Sequence, residues 1–316
     1  MTSGICCAGN DRVHNWLVTM LTSVRRHSGD VPITLIPFDD NLARTRRLCR
    51  RMDVEILPTV AFAELDAFSR TLLPDAPIGL MRRFSSFWGP YEHFIYLDAD
   101  VVAVQSVRPL LGAVERYSPH VLYLDANLDE VYKPGPLRAK MVTEHNARGI
   151  NAGVFGGTRG VLSLDVVQGF FDEYATVAGD TIPLADQTYL NYVLDRLGVA
   201  CLAFTDVLDV SGGWAGHRYH TEDGALIASR LAPSQTRAAP VALLHWAGFA
   251  LTPAMPHFRL WLSYRGGRGA RALHAARIGA PLVYDRLTGR VRARLKPRAR
   301  LARISALLAR RTSAGE

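Results

Sequence analysis

The run His93-Phe94-Ile95-Tyr96-Leu97-Asp98-Ala99-Asp100-Val101-Val102 ends an apolar stretch in two carboxylates one residue apart. Short apolar runs read as buried strands, and in open α/β sheets functional groups gather where strands end. Two oxygen-only ligands at this spacing suit a hard divalent cation, which also takes oxygens from a phosphate or diphosphate. Asp98 and Asp100 therefore point to a metal–nucleotide site. An Asp-x-Asp after a strand also serves as a simple helix cap, so the reading rests on what accompanies it.

Three later segments carry the polar groups such a site needs. Ile150-Asn151-Ala152-Gly153-Val154-Phe155 joins an amide to small residues that admit close backbone approach. Ala185-Asp186-Gln187-Thr188-Tyr189-Leu190-Asn191 sets Asp186 and Gln187 at the head of a helical pattern, where Asp186 alone would read as an N-cap. Leu244-His245-Trp246-Ala247-Gly248-Phe249 ends an apolar run in an imidazole, a ligand suited to manganese and equally a packed core histidine. Ahead of the Asp98 strand, Arg82 and Arg83 offer cations for a bound phosphate or diphosphate, and equally a solvated face.

In their order and separations the four segments resemble the GT-A-fold glycosyltransferases of the glycogenin and galactosyltransferase-like family (glycosyltransferase family 8), over roughly residues 3–260. The resemblance implies that Asp98, Asp100 and His245 hold manganese, or magnesium, against the donor diphosphate. It implies that Asn151 lines the donor-sugar pocket, that Asp186 hydrogen-bonds donor-sugar hydroxyls and that Gln187 faces the anomeric carbon. Arg82 or Arg83 would contact the donor. Ala8, Asn10 and Asp11 would bind the uridine, and Ala99 and Gly248 join the donor-binding set. The implied activity is transfer of a hexose from a UDP-sugar to a carbohydrate, lipid-linked or other hydroxyl acceptor, with retention. An inverting reaction would instead need a carboxylate base, for which Asp125 and Asp129 are the candidates.

Two other readings compete. Residues 97–102 also fit the pattern of haloacid-dehalogenase-like phosphatases, with Asp98 as nucleophile and Asp100 as acid/base. That pattern normally sits on the first strand, whereas here a long α/β stretch precedes it. A nucleotide-sugar binding protein without turnover, or a nucleotidyltransferase, could share such a sheet. The latter would show a Gly-rich phosphate loop after the first strand, and Ala8-Gly9-Asn10-Asp11 is a poor one.

The elements that must position these residues alternate. Residues 3–8, 33–38 and 54–57 read as strands. Between them lie a helix with Val13, Leu17, Met20, Leu21 and Val24 on one face, capped by Asn10 or Asp11, and a basic helix over 42–52. The pattern predicts a helix over 77–88, a strand at 121–124 and a loop or lid over 127–149. It predicts helices over 162–177 and 186–197, and a strand over 241–244. This is an α/β chain. With the resemblance, it becomes a single GT-A-like domain over 1–264, with a Rossmann-like mixed, mostly parallel sheet flanked by helices, followed by a basic C-terminal helical tail over 265–316.

Bulk properties bound the rest. The 316 residues carry a formal net charge of +8, but from residue 265 onward 13 arginines and one lysine face only Asp285 and Glu316. The body before it is therefore net acidic, and no nucleic-acid partner is expected. No apolar run reaches the length of a membrane helix. The N-terminus lacks a basic leader and an apolar core, which predicts a cytoplasmic protein. Cys6, Cys7, Cys49 and Cys201 show no zinc spacing. In the tail, Arg290, Arg292, Arg294, Lys296, Arg298 and Arg300 alternate with other residues, and Leu301, Ile304, Leu307 and Leu308 have helical spacing. That pattern fits peripheral contact with the anionic inner face of a membrane, a surface helix or a disordered end.

Overall fold

The computed structural model describes residues 2–229 and 239–266. The basic tail, apart from Arg265 and Gly266, lies outside the described residues. The chain opens with β1 (Ser3–Gly9), α1 (His14–Ser28), β2 (Ile33–Pro37), α2 (Ala43–Met52), β3 (Glu55–Ile56) and α3 (Ala63–Leu72). A 3-10 segment, Ile78–Trp88, leads into β4 (His93–Leu97), β5 (Val101–Ala103), α4 (Arg108–Arg116), β6 (Val121–Tyr123), α5 (Pro136–His145) and β7 (Val154–Thr158). Then come α6 (Leu164–Gly169), α7 (Phe171–Val177), α8 (Asp186–Arg196), β8 (Cys201–Ala203), α9 (Phe204–Val207), β9 (Tyr219–Glu222), β10 (Ala225–Ala228), β11 (Leu243–His245) and α10 (Phe258–Ser263).

Seven strands form the central sheet in the order β3-β2-β1-β4-β7-β6-β8. All neighbours are parallel except β7, which runs antiparallel to both β4 and β6. Both faces are covered, as parallel strands require. Alternate residues of β1 and β4 divide between two cores: Ile5, Cys7, Ile95 and Leu97 pack with α1, α2 and α4, while Cys6, Phe94 and Tyr96 pack with α3, the 3-10 segment and α8. A third core, around Trp246, Trp261 and Tyr264, closes over a two-stranded ribbon of β5 and β11.

Three departures from the sequence reading are local. Residues 78–88 wind as a 3-10 rather than an α-helix, and Gly79 lies against the backbone of Phe38, where a Cβ would come within 2.0 Å of the Phe38 carbonyl oxygen. Residues 127–149 are not one loop but a 3-10 turn, Leu128–Glu130, followed by α5. The Pro134-Gly135-Pro136 cluster reads as a breaker, yet Pro136 begins the helix, where its fixed φ is preorganised and its missing N–H costs nothing. The expected helix over 162–177 divides into α6 and α7 at Phe170.

Candidate active site

Strand direction assembles the site. Because β7 is antiparallel to β4, its first residue Val154 pairs with the last residue of β4, Leu97. The Asn151–Gly153 approach to β7 therefore meets Asp98, whose backbone N–H donates to Gly153 O at 2.8 Å. Likewise β11 is antiparallel to β5 and pairs His245 with Val101, next to Asp100. The Trp246 N–H donates to Asp100 O at 3.1 Å. Two antiparallel pairings thus carry residues far apart in the chain onto the two carboxylates.

Potential ligand atoms of Asp98, Asp100 and His245 lie within 4.8 Å of one another. His245 Nε2 is buried, 3.3 Å from Asp100 Oδ1, and has no aligned hydrogen-bond partner. An imidazole nitrogen aimed without a partner at two carboxylates is the donor set a divalent cation completes. Gly153 is required beside it: a Cβ there would sit 2.3 Å from His245 Cε1 and 2.9 Å from Asp98 Oδ2. Burial pulls the His245 pKa down, but Asp100, with Asp98 and Asp125, outweighs it and holds the imidazole above its usual value. Burial would raise Asp100, yet His245 and Arg83 keep its carboxyl below the usual range. A cation would take the place of the imidazole proton.

Arg83 ties the cluster to α8. Its Nη1 lies 3.3 Å from Asp98 Oδ2 and donates to Ala152 O at 2.7 Å. Its Nε lies 2.6 Å from Asp186 Oδ2, an ion pair with no N–H directed along it. The guanidinium also covers the Tyr96 ring, 5.2 Å from the centroid. Burial opposes the charge of Arg83, but Asp186 and Asp98 outweigh it and raise its pKa. Burial lifts the Asp186 carboxyl to about 6, against the pull of Arg83 and with the help of the nearby Asp98 charge. The residue before it, Ala185, has φ +50° and ψ −117°, a conformation that favours glycine.

Helix α8 is stitched to the approach to β7. Asn191 accepts from Ile150 N at 2.7 Å and donates to Ile150 O at 2.9 Å, and Gln187 Oε1 accepts from Ala152 N at 3.2 Å. Asn151 Oδ1 accepts from Gly153 N at 2.8 Å. Asp186, Gln187 and Asn151 therefore stand together beside Asp98.

The other expected site residues separate. Arg82 points away from the cluster into a buried pair with Asp66, with bonds of 2.8 and 2.6 Å, and donates to Pro37 O at 2.7 Å. Its hydrogen-bonding capacity is used in the core, so Arg83 alone of the two meets the carboxylates. Asn10 caps the turn after β1 through Arg12 N and Val13 N and donates to Asp39 at 2.8 Å. Asp11 accepts from Arg44 N, Thr45 N and the Thr45 hydroxyl at the start of α2. Burial would raise its pKa, but these bonds together lower it. Ala8 ends β1 as a buried residue, Ala99 is buried between the two carboxylates, and Gly248 sits at φ +80° in the turn after Trp246. Of the two candidate bases, Asp129 pairs with Arg138 at the surface, whereas Asp125 lies within electrostatic reach of His245. Burial raises its carboxyl.

Sequence reasoning passed over Tyr96, whose hydroxyl donates to Asp98 Oδ1 at 2.8 Å. The signal was there: Asp98 follows the end of β4 two residues after Tyr96, so the strand's alternation turns both side chains to one side. Asn191, one helical turn after Gln187, carried the same kind of signal. Both Asp98 oxygens are engaged, by Tyr96 and Arg83.

No protein-family model and no curated protein matches this sequence. Solved structures do. The galactosyltransferase LgtC in complex with donor and acceptor sugar analogues is 17% identical, covers 83% of this chain and 94% of its own, and superposes with a TM-score of 0.55. An active-site variant of LgtC gives 0.56 at 15% identity over the same shares. The bifunctional glycosyltransferase WbbM is 13% identical, with a TM-score of 0.54 over 83% of this chain and 49% of its own. At these identities the likeness concerns architecture: the described chain has the mixed α/β fold of the GT-A glycosyltransferases.

Proposed function

We propose that the chain is a metal-dependent glycosyltransferase that moves a hexose from a UDP-sugar to an acceptor hydroxyl. The observation that carries the proposal is the Asp98–Asp100–His245 cluster joined through Arg83 to Asp186. A divalent cation there, manganese or magnesium, would supply Lewis-acid stabilisation of the departing diphosphate. Arg83 is the protein cation of the same cluster and adds fixed positive charge where negative charge develops. With Asn151 Oδ1 and Gln187 Oε1 engaged by backbone N–H groups and Gln187 Nε2 donating to Glu130 Oε2 at 3.4 Å, Asn151 Nδ2 and the second N–H of Gln187 Nε2 are the donors left for sugar hydroxyls. Asp186 is the acceptor.

Transfer breaks the bond from C1 to the phosphate oxygen and forms one from C1 to the acceptor oxygen. The resemblance implies retention, and because the neutral amide of Gln187 is a weak nucleophile, a retaining reaction here would run without a covalent intermediate on that residue. The leaving phosphate oxygen then takes the acceptor proton on the same face. We take residues 1–264 as the catalytic unit, working in the cytoplasm, and 265–316 as an extension. Among the described residues no helix is long and apolar enough to cross a membrane. Sedimentation with anionic vesicles, with and without the extension, tests peripheral contact.

The test of the main proposal is calorimetric titration of UDP with and without manganese, on the wild type and Asp100→Asn. Binding that needs both metal and Asp100 supports the proposal and leads to a screen of UDP-sugars. Absence of UDP binding under every condition refutes it.

A further inference from the structure

The turn after His245 and the loop at residues 211–217 build a second feature beside the carboxylate cluster. Among the described residues only four large hydrophobic side chains are exposed: Val60, Val142, Leu197 and Trp214. Trp214 is the one aromatic among them, 38% exposed. Its position is tied to the metal-ligating candidate. Trp214 pairs with His245 in a parallel bridge, with His245 N–H donating to Gly213 O at 2.6 Å and Ala215 N–H donating to His245 O at 2.8 Å. Bridged residues stand about 5 Å apart.

The indole is exposed but held. Its Nε1 donates to Ala247 O at 3.1 Å, and the Tyr219 hydroxyl donates to Trp214 O at 2.6 Å. Phe249 lies against it at 5.7 Å and a tilt of 34°, and His217 meets it edge-on at 5.3 Å. Gly216 is pressed on the ring, where a Cβ would come within 2.3 Å of two indole carbons. The same loop touches Asp125: a Cβ on Gly212 would lie 2.6 Å from Asp125 Oδ1. The chain thus spends a hydrogen bond, two ring contacts and a glycine on fixing an aromatic surface that it leaves open to solvent. A rigid exposed tryptophan presents contact area at small entropic cost, and its negative face attracts the positively polarised edges of a partner.

We propose that Trp214, flanked by Phe249 and His217, is a stacking shelf for the acceptor, and that the acceptor is therefore a glycoside. A pyranose ring has an apolar face of C–H groups to lie on the indole and a rim of hydroxyls within reach of His217 and Asp125. An amino-acid hydroxyl or a simple lipid alcohol would leave the shelf uncovered. The term acceptor rests on the glycosyl-transfer reading above; the sugar-binding shelf does not.

The test uses the full chain with UDP and manganese present, and methyl β-D-galactopyranoside and methyl β-D-glucopyranoside as probes. Saturation-transfer difference NMR is measured on the wild type, Trp214→Ala and Trp214→Phe, with UDP titrated separately into each. The expected result is saturation of the C–H groups on one ring face. Affinity should fall about tenfold in Trp214→Ala, the size of one aromatic contact, and be largely kept in Trp214→Phe, with UDP binding equal in all three. Glycoside binding that is equal in wild type and Trp214→Ala, or absent from a wild type that binds UDP, overturns the shelf. Glycoside binding lost in Trp214→Ala in a protein that never binds UDP keeps the shelf and removes the transferase reading.

Discussion

Gly153→Ala is the sharpest perturbation of the metal cluster. Its Cβ would stand 2.3 Å from His245 Cε1, 2.9 Å from His245 Nε2 and 2.9 Å from Asp98 Oδ2. Two carbons rest at about 3.5–4 Å, so the imidazole must withdraw by about 1.2 Å. It cannot do so through its backbone, which is fixed by Gly213 O on one side and Ala215 N on the other. The ring must therefore turn. Metal–ligand distances tolerate about 0.2 Å, so a shift of this size would remove one of the three proposed protein ligands and disturb a second. The expected loss of manganese affinity is at least about 100-fold, the upper end of what disturbing even an outer-shell partner costs. Overpacking should cost about 1–3 kcal/mol of stability, leaving a folded protein to titrate. The assay is calorimetric titration of manganese at saturating UDP, with thermal unfolding alongside. Gly112→Ala is the control: its Cβ meets nothing within 4 Å on α4, and it should gain about 0.5–1 kcal/mol without changing metal affinity. If Gly153→Ala binds manganese like the wild type, His245 is not a ligand and the cluster has been misread.

Four further outcomes follow from the same geometry. Arg82→Met should cost about 3–5 kcal/mol by orphaning buried Asp66 and leave UDP binding intact, whereas Arg83→Met should abolish metal-dependent UDP binding; denaturant titration and calorimetry separate them. Burial holds the Asp195 carboxyl, which accepts from Tyr132 at 2.6 Å, up at about 7. A raised folded pKa gives stability that is fully present below the unfolded value near 4 and is lost as pH rises through 7. Wild type should therefore lose about 3 kcal/mol from this group between pH 5 and 8, and Asp195→Asn should flatten the urea-unfolding profile over that range. Ala185→Gly should relieve the backbone at φ +50° and add about 1 kcal/mol, seen as a rise in Tm. Asp125→Asn should keep transfer within about tenfold if no base is needed; complete loss with UDP and glycoside binding both retained would overturn the retaining reading.

The alternation of strands and helices and the buried run ending at Asp98 and Asp100 were legible because each is a local pattern of period or punctuation, whereas the later Asn, Asp-Gln and His segments stood out through the family resemblance. The same locality sets the limits. A 3-10 and an α-helix share a similar apolar spacing, so the helical pattern over 77–88 does not reveal which of the two forms. Pro136 carries the same residue signal whether it breaks a helix or begins one. Asn10 and Asp11 offered polar groups after β1, but nothing nearby in the chain reveals that Asp39 and the N–H groups of Arg44 and Thr45 engage them.

By itself the sequence determined the fold class and the pair of carboxylates at a strand end, since both follow from side-chain periodicity over a few residues. The tertiary structure alone decided which polar groups meet. The reversal of β7 and of β11 brings Asn151 and His245 onto Asp98 and Asp100. Adjacent arginines on a tight helix diverge, so that Arg82 meets Asp66 and Arg83 meets Asp98 and Asp186. Strand direction and side-chain direction are settled by packing between segments distant in the chain, and no short window of residues contains that information.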